Sequence, residues 1–204
     1  MSWQQLGSEI KGEASGDESG IAISLSSNGG TLAIGAWLND EAGLDSGHVR
    51  IYEYKDNQWQ QLGNDINGED AGDLSGNSVS LSSDGETVAI GSFFNDSYRG
   101  HVRIYKYKDN QWQQLGSDIR GVFINEFSGT SVSLTSDGET VAIGSVSPFE
   151  SGYVRIFKYD SSSSLWMQLG SDIRGTLGDY IGSSLSLSDD GKKIAIGATH
   201  NDGV

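Results

Sequence analysis

Four copies of one hairpin pattern, a tryptophan that returns every 53 to 56 residues, and an alternation of tight, near-identical turns with longer, divergent ones predict an all-β protein. The architecture expected from that combination is a β-propeller of four-stranded antiparallel blades. The clearest hairpin is residues 76–92, GNSVSLSSDGETVAIGS, in which Val79 and Leu81 alternate with Ser78, Ser80 and Ser82 before an apolar run begins at Thr87. Asp84-Gly85 between the two runs predicts a two-residue type I′ turn, which needs positive φ at both central positions. The pattern recurs from Gly20, Gly129 and Gly182.

The tryptophans Trp3, Trp59, Trp112 and Trp166 each open a W-x-Q-L-G segment, at separations of 56, 53 and 54 residues. In the second unit four strands are expected: A (77–82), B (87–92), C (101–107) and D (112–119). Strand C alternates in character, and strand B is apolar on both faces, as suits a strand covered on both sides. The repeats run approximately 20–75, 76–128 and 129–181, with an outer strand alone in 1–19 and an incomplete unit in 182–204. A propeller closes with about 4–8 blades, so the expectation is part of a larger propeller, with exposed edges through which it could self-associate.

Composition narrows the function classes. Cysteine is absent and histidine numbers three, which excludes disulfides, thiol catalysis and Cys-ligated metal. The 28 acidic against 13 basic residues give a formal charge of −15, which disfavours nucleic acid and anionic membrane surfaces. No apolar run approaches the ~18 residues of a membrane span, and residues 1–10 carry no signal-peptide pattern. No nucleophile–base pair, phosphate loop or zinc motif is present, so no catalytic residues are expected.

In a four-stranded blade the D–A and B–C loops share one face, and here these are the loops that vary, so binding is expected there. The D–A loops carry Asp17, Asp73, Glu126 and Asp179 at one repeat position. The B–C loops begin Asn39-Asp40, Asn95-Asp96 and Asn201-Asp202, with Ser147-Pro148 in the third unit. Asp17, Asp40, Asp73, Asp96, Glu126 and Asp179 are thus candidate calcium ligands, against the alternative that they cap turns. Aromatic residues in or beside the same loops, Trp37, Phe93, Phe94, Tyr98, Phe123, Phe149 and Tyr180, with Phe127, are candidate contacts for a protein or glycan.

The periodic tryptophans are expected to pack on strand-C rings such as Tyr52, Tyr105 and Phe157. The repeated Arg50, Arg103 and Arg155 are expected to pair with acids such as Asp65, Asp118 and Asp172. His48 and His101 share a position that Tyr153 fills in the third unit, which argues against a catalytic base. Asn95-Asp96-Ser97 matches a glycosylation acceptor pattern.

The order W…L…GxSVSLSxDGxTVAIGS…ND…GxVRIY resembles the FG-GAP repeat family of integrin-α-like propellers, in a longer variant with a tryptophan-initiated outer strand. Ser75-Gly76 stands where that family has Phe-Gly, and Gly91-Ser92 where it has Gly-Ala-Pro. The resemblance implies an extracellular or cell-surface adhesion or ligand-binding module. The calcium loop that some members carry between strands A and B has no counterpart, since SSDGET is too short to wrap the ion. The reading is therefore a non-enzymatic interaction module without a required cofactor. The alternatives are the propeller portion of a carbohydrate-active enzyme and a structural piece that self-associates.

Overall fold

The structure, a computed structural model, describes residues 2–147 and 149–201. One plan repeats along it. The first sheet contains β1 (Ala22–Leu25), β2 (Thr31–Ala36), β3 (His48–Lys55) and β4 (Gln58–Gln61) in that order, with β5 (Ile66–Asn67) also paired to β3. The second contains β6 (Ser78–Leu81), β7 (Thr87–Ser92), β8 (His101–Lys108), β9 (Gln111–Gln114) and β10 (Ile119–Arg120). The third contains β11 (Ser128–Leu134), β12 (Thr140–Ser145), β13 (Tyr153–Asp160), β14 (Leu165–Gln168) and β15 (Ile173–Arg174), and β16 (Ile181–Leu187) with β17 (Ile194–Ala198) forms a final hairpin. All pairings within these sheets are antiparallel. The sheets are blades of a β-propeller, stacked β1 on β6, β6 on β11 and β11 on β16.

The core lies between blades. Ala33, Val49 and Ile51 of the first blade meet Leu81, Val88 and Ile90 of the second. Val102 and Ile104 meet Val132, Val141 and Ile143 of the third in the same manner. Every residue of β7 and of β12 is buried, as the apolar strand B predicts. Each such Val or Ile contributes about 1.5–3 kcal/mol by leaving water. Where no further blade covers the stack, Ile23 and Leu25 are 67% and 56% exposed.

Strand D differs from the expected continuous run. It is split, as β4 with β5, β9 with β10 and β14 with β15, and both pieces pair with the same strand C. The break falls at Gly63 and Gly116, with φ of 77° and 76°. A Cβ on either would lie 2.9 Å from the next blade's indole, Trp112 or Trp166. Those indoles donate to the Leu62 and Leu115 carbonyls, both at 2.7 Å, and Trp59 does the same to Leu6 at 3.1 Å. Each tryptophan is thus a pin between blades. Its ring partner is Tyr54, Tyr107 or Tyr159, two residues beyond the expected Tyr52, Tyr105 and Phe157. Residues 3–10 form no strand and pair with no strand C among the described residues, and Trp3 is fully exposed.

The A–B turn also differs from the expected type I′ form. At the A–B turn Gly85 has φ 75° but Asp84 has no positive φ, so the turn is not type I′. It is a wider loop closed by Thr87 N–H donating to Ser82 Oγ, with Asp84 Oδ1 accepting from the Ser82 hydroxyl and the Glu86 N–H. Positive φ at both central residues occurs instead at the C–D turns, Asp56-Asn57 (52°, 61°) and Asp109-Asn110 (52°, 62°). Asp and Asn tolerate that left-handed region better than other residues with a Cβ.

The serines alternating along strand A also act between blades. Ser24, Ser80 and Ser133 hydroxyls accept from the Leu81, Leu134 and Leu187 amides of the following blade. Nearby, a Cβ on Gly35, Gly91 or Gly144 would lie 2.0–2.2 Å from the carbonyl oxygen of Gly76, Gly129 or Gly182. Glycine is required at this seam by the close approach of two backbones.

Gly91 has no positive φ, so Gly91→Ala isolates the steric effect. Because the new Cβ would meet Gly129 O and Ser78 Oγ, the substitution is expected to destabilise the protein by about 2–3 kcal/mol. Gly12→Ala, which meets only the Ser19 side chain, is expected to change stability by less than about 1 kcal/mol. Urea denaturation of both variants checks the contrast.

Candidate functional site

The D–A and B–C loops meet on one face and are tied together by the repeated acids. Asp17 Oδ2 accepts from the Ala14 N–H and the Asn39 side-chain amide, and Asp73 accepts from the Glu69 and Asp70 N–H groups and from Asn95 Nδ2 at 3.0 Å. Asp179 repeats the arrangement: the Thr176 hydroxyl first, then the Thr176 N–H and the Asn201 side chain, hold its carboxyl below the ordinary range. In the third unit Glu126 takes this position and accepts from the Tyr153 hydroxyl at 2.6 Å. That bond, after burial itself, raises the tyrosine pKa.

Asp40 and Asp96 are exposed and lie apart from these acids in their contacts. Asp40 accepts from the Asp45 N–H, and Asp96 pairs with Arg99 at 3.3 Å. Within the described residues, the groups of three or more acids and histidines close enough to share an ion include none of Asp17, Asp40, Asp73, Asp96, Glu126 and Asp179. Asn95 is buried and bonded to Asp73, so its amide is not presented as a glycosylation acceptor. Pro148 and Asp202 lie outside the described residues.

The loop aromatics do come together. Trp37 stacks on Phe93 at 6.0 Å between ring centroids, and Phe93 meets Phe94 edge-on at 4.5 Å. Phe94 then contacts Tyr98 at 4.7 Å and Phe127 at 5.8 Å. Phe93, Phe127 and Tyr180 line one open depression of about 300 Å³ with Thr130, Val146 and Thr199. Most of these rings fall at two positions that recur from blade to blade. Trp37 and Phe93 directly follow strand B, followed in the later units by Val146 and Thr199 at the same position. Phe127 and Tyr180 share a second position with Glu18 and Leu74, where all four residues have φ of 51–54°. Trp37 Nε1 donates to Glu18 Oε2 at 2.9 Å, joining the two positions. Phe123 and Phe149 stand apart: they are 61% and 71% exposed, and no ring contact joins them to the track among the described residues.

Two of the arginines do pair with acids, but with those of the preceding outer segment and not with Asp65 or Asp118: Arg50 with Glu13 at 3.2 Å and Arg103 with Glu69 at 3.8 Å. Arg50, Arg103 and Arg155 donate to the Lys11, Asn67 and Arg120 carbonyls at 2.9, 2.7 and 2.9 Å, each at the end of the preceding blade's outer segment. Asp65 and Asp118 face the histidines of their own blades instead, at 3.6 Å from His48 Nδ1 and 3.7 Å from His101 Nδ1. The guanidinium reaches past its own blade to a carbonyl that no strand partner satisfies, which pairing by sequence charge alone does not anticipate. His101 is fully buried, and burial first, then the Arg103 charge, lowers its pKa to about 4. Sequence reading missed these clusters. The available signal was a Glu, His and Asp recurring at the repeat period as Glu13, His48, Asp65 and Glu69, His101, Asp118.

No protein-family model matches the chain, and no curated protein matches it either. Solved structures do. The periplasmic gluconolactonase PpgL of Pseudomonas aeruginosa is 15% identical with a TM-score of 0.59 over 87% of this chain and 50% of its own. Sqt1 of Saccharomyces cerevisiae is 15% identical, TM-score 0.53, over 81% of this chain and 38% of its own. TolB of Acinetobacter baumannii is 17% identical, TM-score 0.50, over 88% and 37%. The likeness establishes the propeller fold, and the chain spans half or less of the length of these proteins.

Burial of His101 gives a pH dependence. An unfolded imidazole titrates near 6.5, so above that value both states are neutral and the native stability is complete. As pH falls towards about 4 the unfolded chain binds the proton first, and stability declines by up to about 3 kcal/mol. Asp118 opposes this shift in part, while Arg103 and Arg120 reinforce it. Urea midpoints measured from pH 7 to 4.5 are expected to fall more steeply for the wild type than for His101→Tyr, which carries the residue of the third blade.

Proposed function

We propose that this chain is an FG-GAP-type, non-enzymatic interaction module that binds a protein through the face bearing the D–A and B–C loops. The observation that carries the reading is the continuous aromatic track from Trp37 through Phe93 and Phe94 to Phe127. Rings at one loop position in successive blades form an apolar strip, and aromatic anchors of this kind dominate protein interfaces. Its lining is largely apolar, which suits protein side chains better than the hydroxyl-rich surface of a glycan. Exposed acids flank the strip at Glu18, Asp40 and Asp96, and the whole chain is acidic, so the partner surface is apolar with a basic rim. The gluconolactonase among the neighbours suggests an enzyme as the other reading, but a shared propeller at 15% identity supports fold and not chemistry.

Selection of a displayed peptide library against the chain, with a glycan array in parallel, tests this. Peptides that combine aromatic or aliphatic with Lys or Arg residues are expected to be enriched. Phe93→Ala with Phe127→Ala is expected to weaken their binding at least about 30-fold, the scale of an interface hot spot, while the far-ultraviolet circular dichroism of the variant shows the β fold retained. Enrichment of glycans alone, or peptide binding indifferent to both substitutions, contradicts the proposal.

A further inference from the structure

The cluster of Glu13, Glu41, His48 and Asp65 shares no residue with the aromatic track and forms where the outer segment of one unit crosses the start of strand C in the next blade. Each residue offers one ligand atom, and all four atoms lie within 4.8 Å of one another. At its centre the His48 side chain is 1% exposed, and its Nδ1 has no hydrogen-bond partner. That nitrogen sits 3.6 Å from Asp65 Oδ2 and 4.0 Å from Glu13 Oε2. These gaps exceed a hydrogen bond. They suit two ligands of one small cation, since an ion held at about 2.1 Å sets tetrahedral neighbours about 3.4 Å apart.

Arg50 takes Glu13 Oε1 at 3.2 Å and leaves Oε2 turned towards the histidine. Three carboxylates against one guanidinium leave surplus negative charge for a cation to neutralise. Glu13 and Glu41 are exposed, which provides an entry path.

We propose that Glu13, Glu41, His48 and Asp65 form a binding site for a first-row divalent cation of the zinc class, which joins the outer segment to the first complete blade. The imidazole sets the class, because nitrogen suits zinc and its neighbours whereas calcium and magnesium take oxygen. The second blade supplies an internal contrast. Glu69, His101 and Asp118 repeat the geometry, and both His101 nitrogens lack partners. There, however, Arg120 occupies the opening, at 2.7 Å from Asp118 and 3.7 Å from Glu69. Asn67 holds the matching position in the first blade, and that neutral residue leaves the opening to an ion. In the third unit Val122 and Tyr153 replace the Glu and the His, and the set is gone.

The test is calorimetric titration of the chelator-stripped full chain with zinc chloride. A single saturable site is expected, with no comparable heat from calcium or magnesium. Glu41→Gln and Asp65→Asn are each expected to weaken zinc binding at least about tenfold, and Asp118→Asn to leave it unchanged. Zinc should raise the thermal midpoint of the wild type and of Asp118→Asn, but not of the Glu41→Gln, Asp65→Asn double variant. Glu41 is exposed, so its variant keeps the test open if changes at His48 disturb folding. Absence of saturable zinc binding, equal binding of calcium, persistence of full affinity in both single variants, or loss of affinity in Asp118→Asn each overturns the proposal.

Discussion

The close approach of Gly35 to Gly76, Gly91 to Gly129 and Gly144 to Gly182 is the constraint on which the rest of the structure depends. Where strand B of one blade meets the start of strand A in the next, there is no room for a Cβ. Backbone contact at that depth fixes both spacing and rotation of neighbouring blades. It brings Ser24, Ser80 and Ser133 to the following blade's amides and sets each tryptophan beneath the preceding Leu-Gly bend. The apolar layers between blades then fill by the usual close packing.

The same constraint positions the functional face. Phe93 and Phe127 flank the glycine pair Gly91 and Gly129 by two residues in sequence, so the seam sets where their rings emerge. The aromatic track is therefore a consequence of blade packing and not of independent loop conformations. Non-glycine residues at φ of 51–54° in all four copies of the second position add local backbone cost, which the acid–amide ties beside them offset. Divergence within the chain is coupled in the same way. Where Tyr153 replaces histidine, Glu126 replaces aspartate and reaches its hydroxyl.

Much of this was legible in the sequence, for definite reasons. Strand identity and blade plan follow from period-two alternation and from tryptophan spacing, and the fully buried β7 and β12 match the apolar B runs. Asp84-Gly85 misled because a turn dipeptide specifies a positive φ at glycine without fixing loop length. The Ser82 hydroxyl, bonding across the loop, widened it. The split of strand D was hidden because its cause, the next blade's indole over Gly63, is a contact 49 residues away in sequence. The arginine and histidine partners were likewise set by blade-to-blade register, which charge pattern alone does not reveal.

The central claim is that stability resides in seams between blades, so protection should follow how many neighbours a blade has. Native-state hydrogen exchange reads this directly. The amides of β7 and β12, covered on both sides, are predicted to exchange only through global unfolding, whereas β1 and β17, each with one uncovered face, should exchange through cheaper local opening. Equal protection of β17 and β7 would contradict the account.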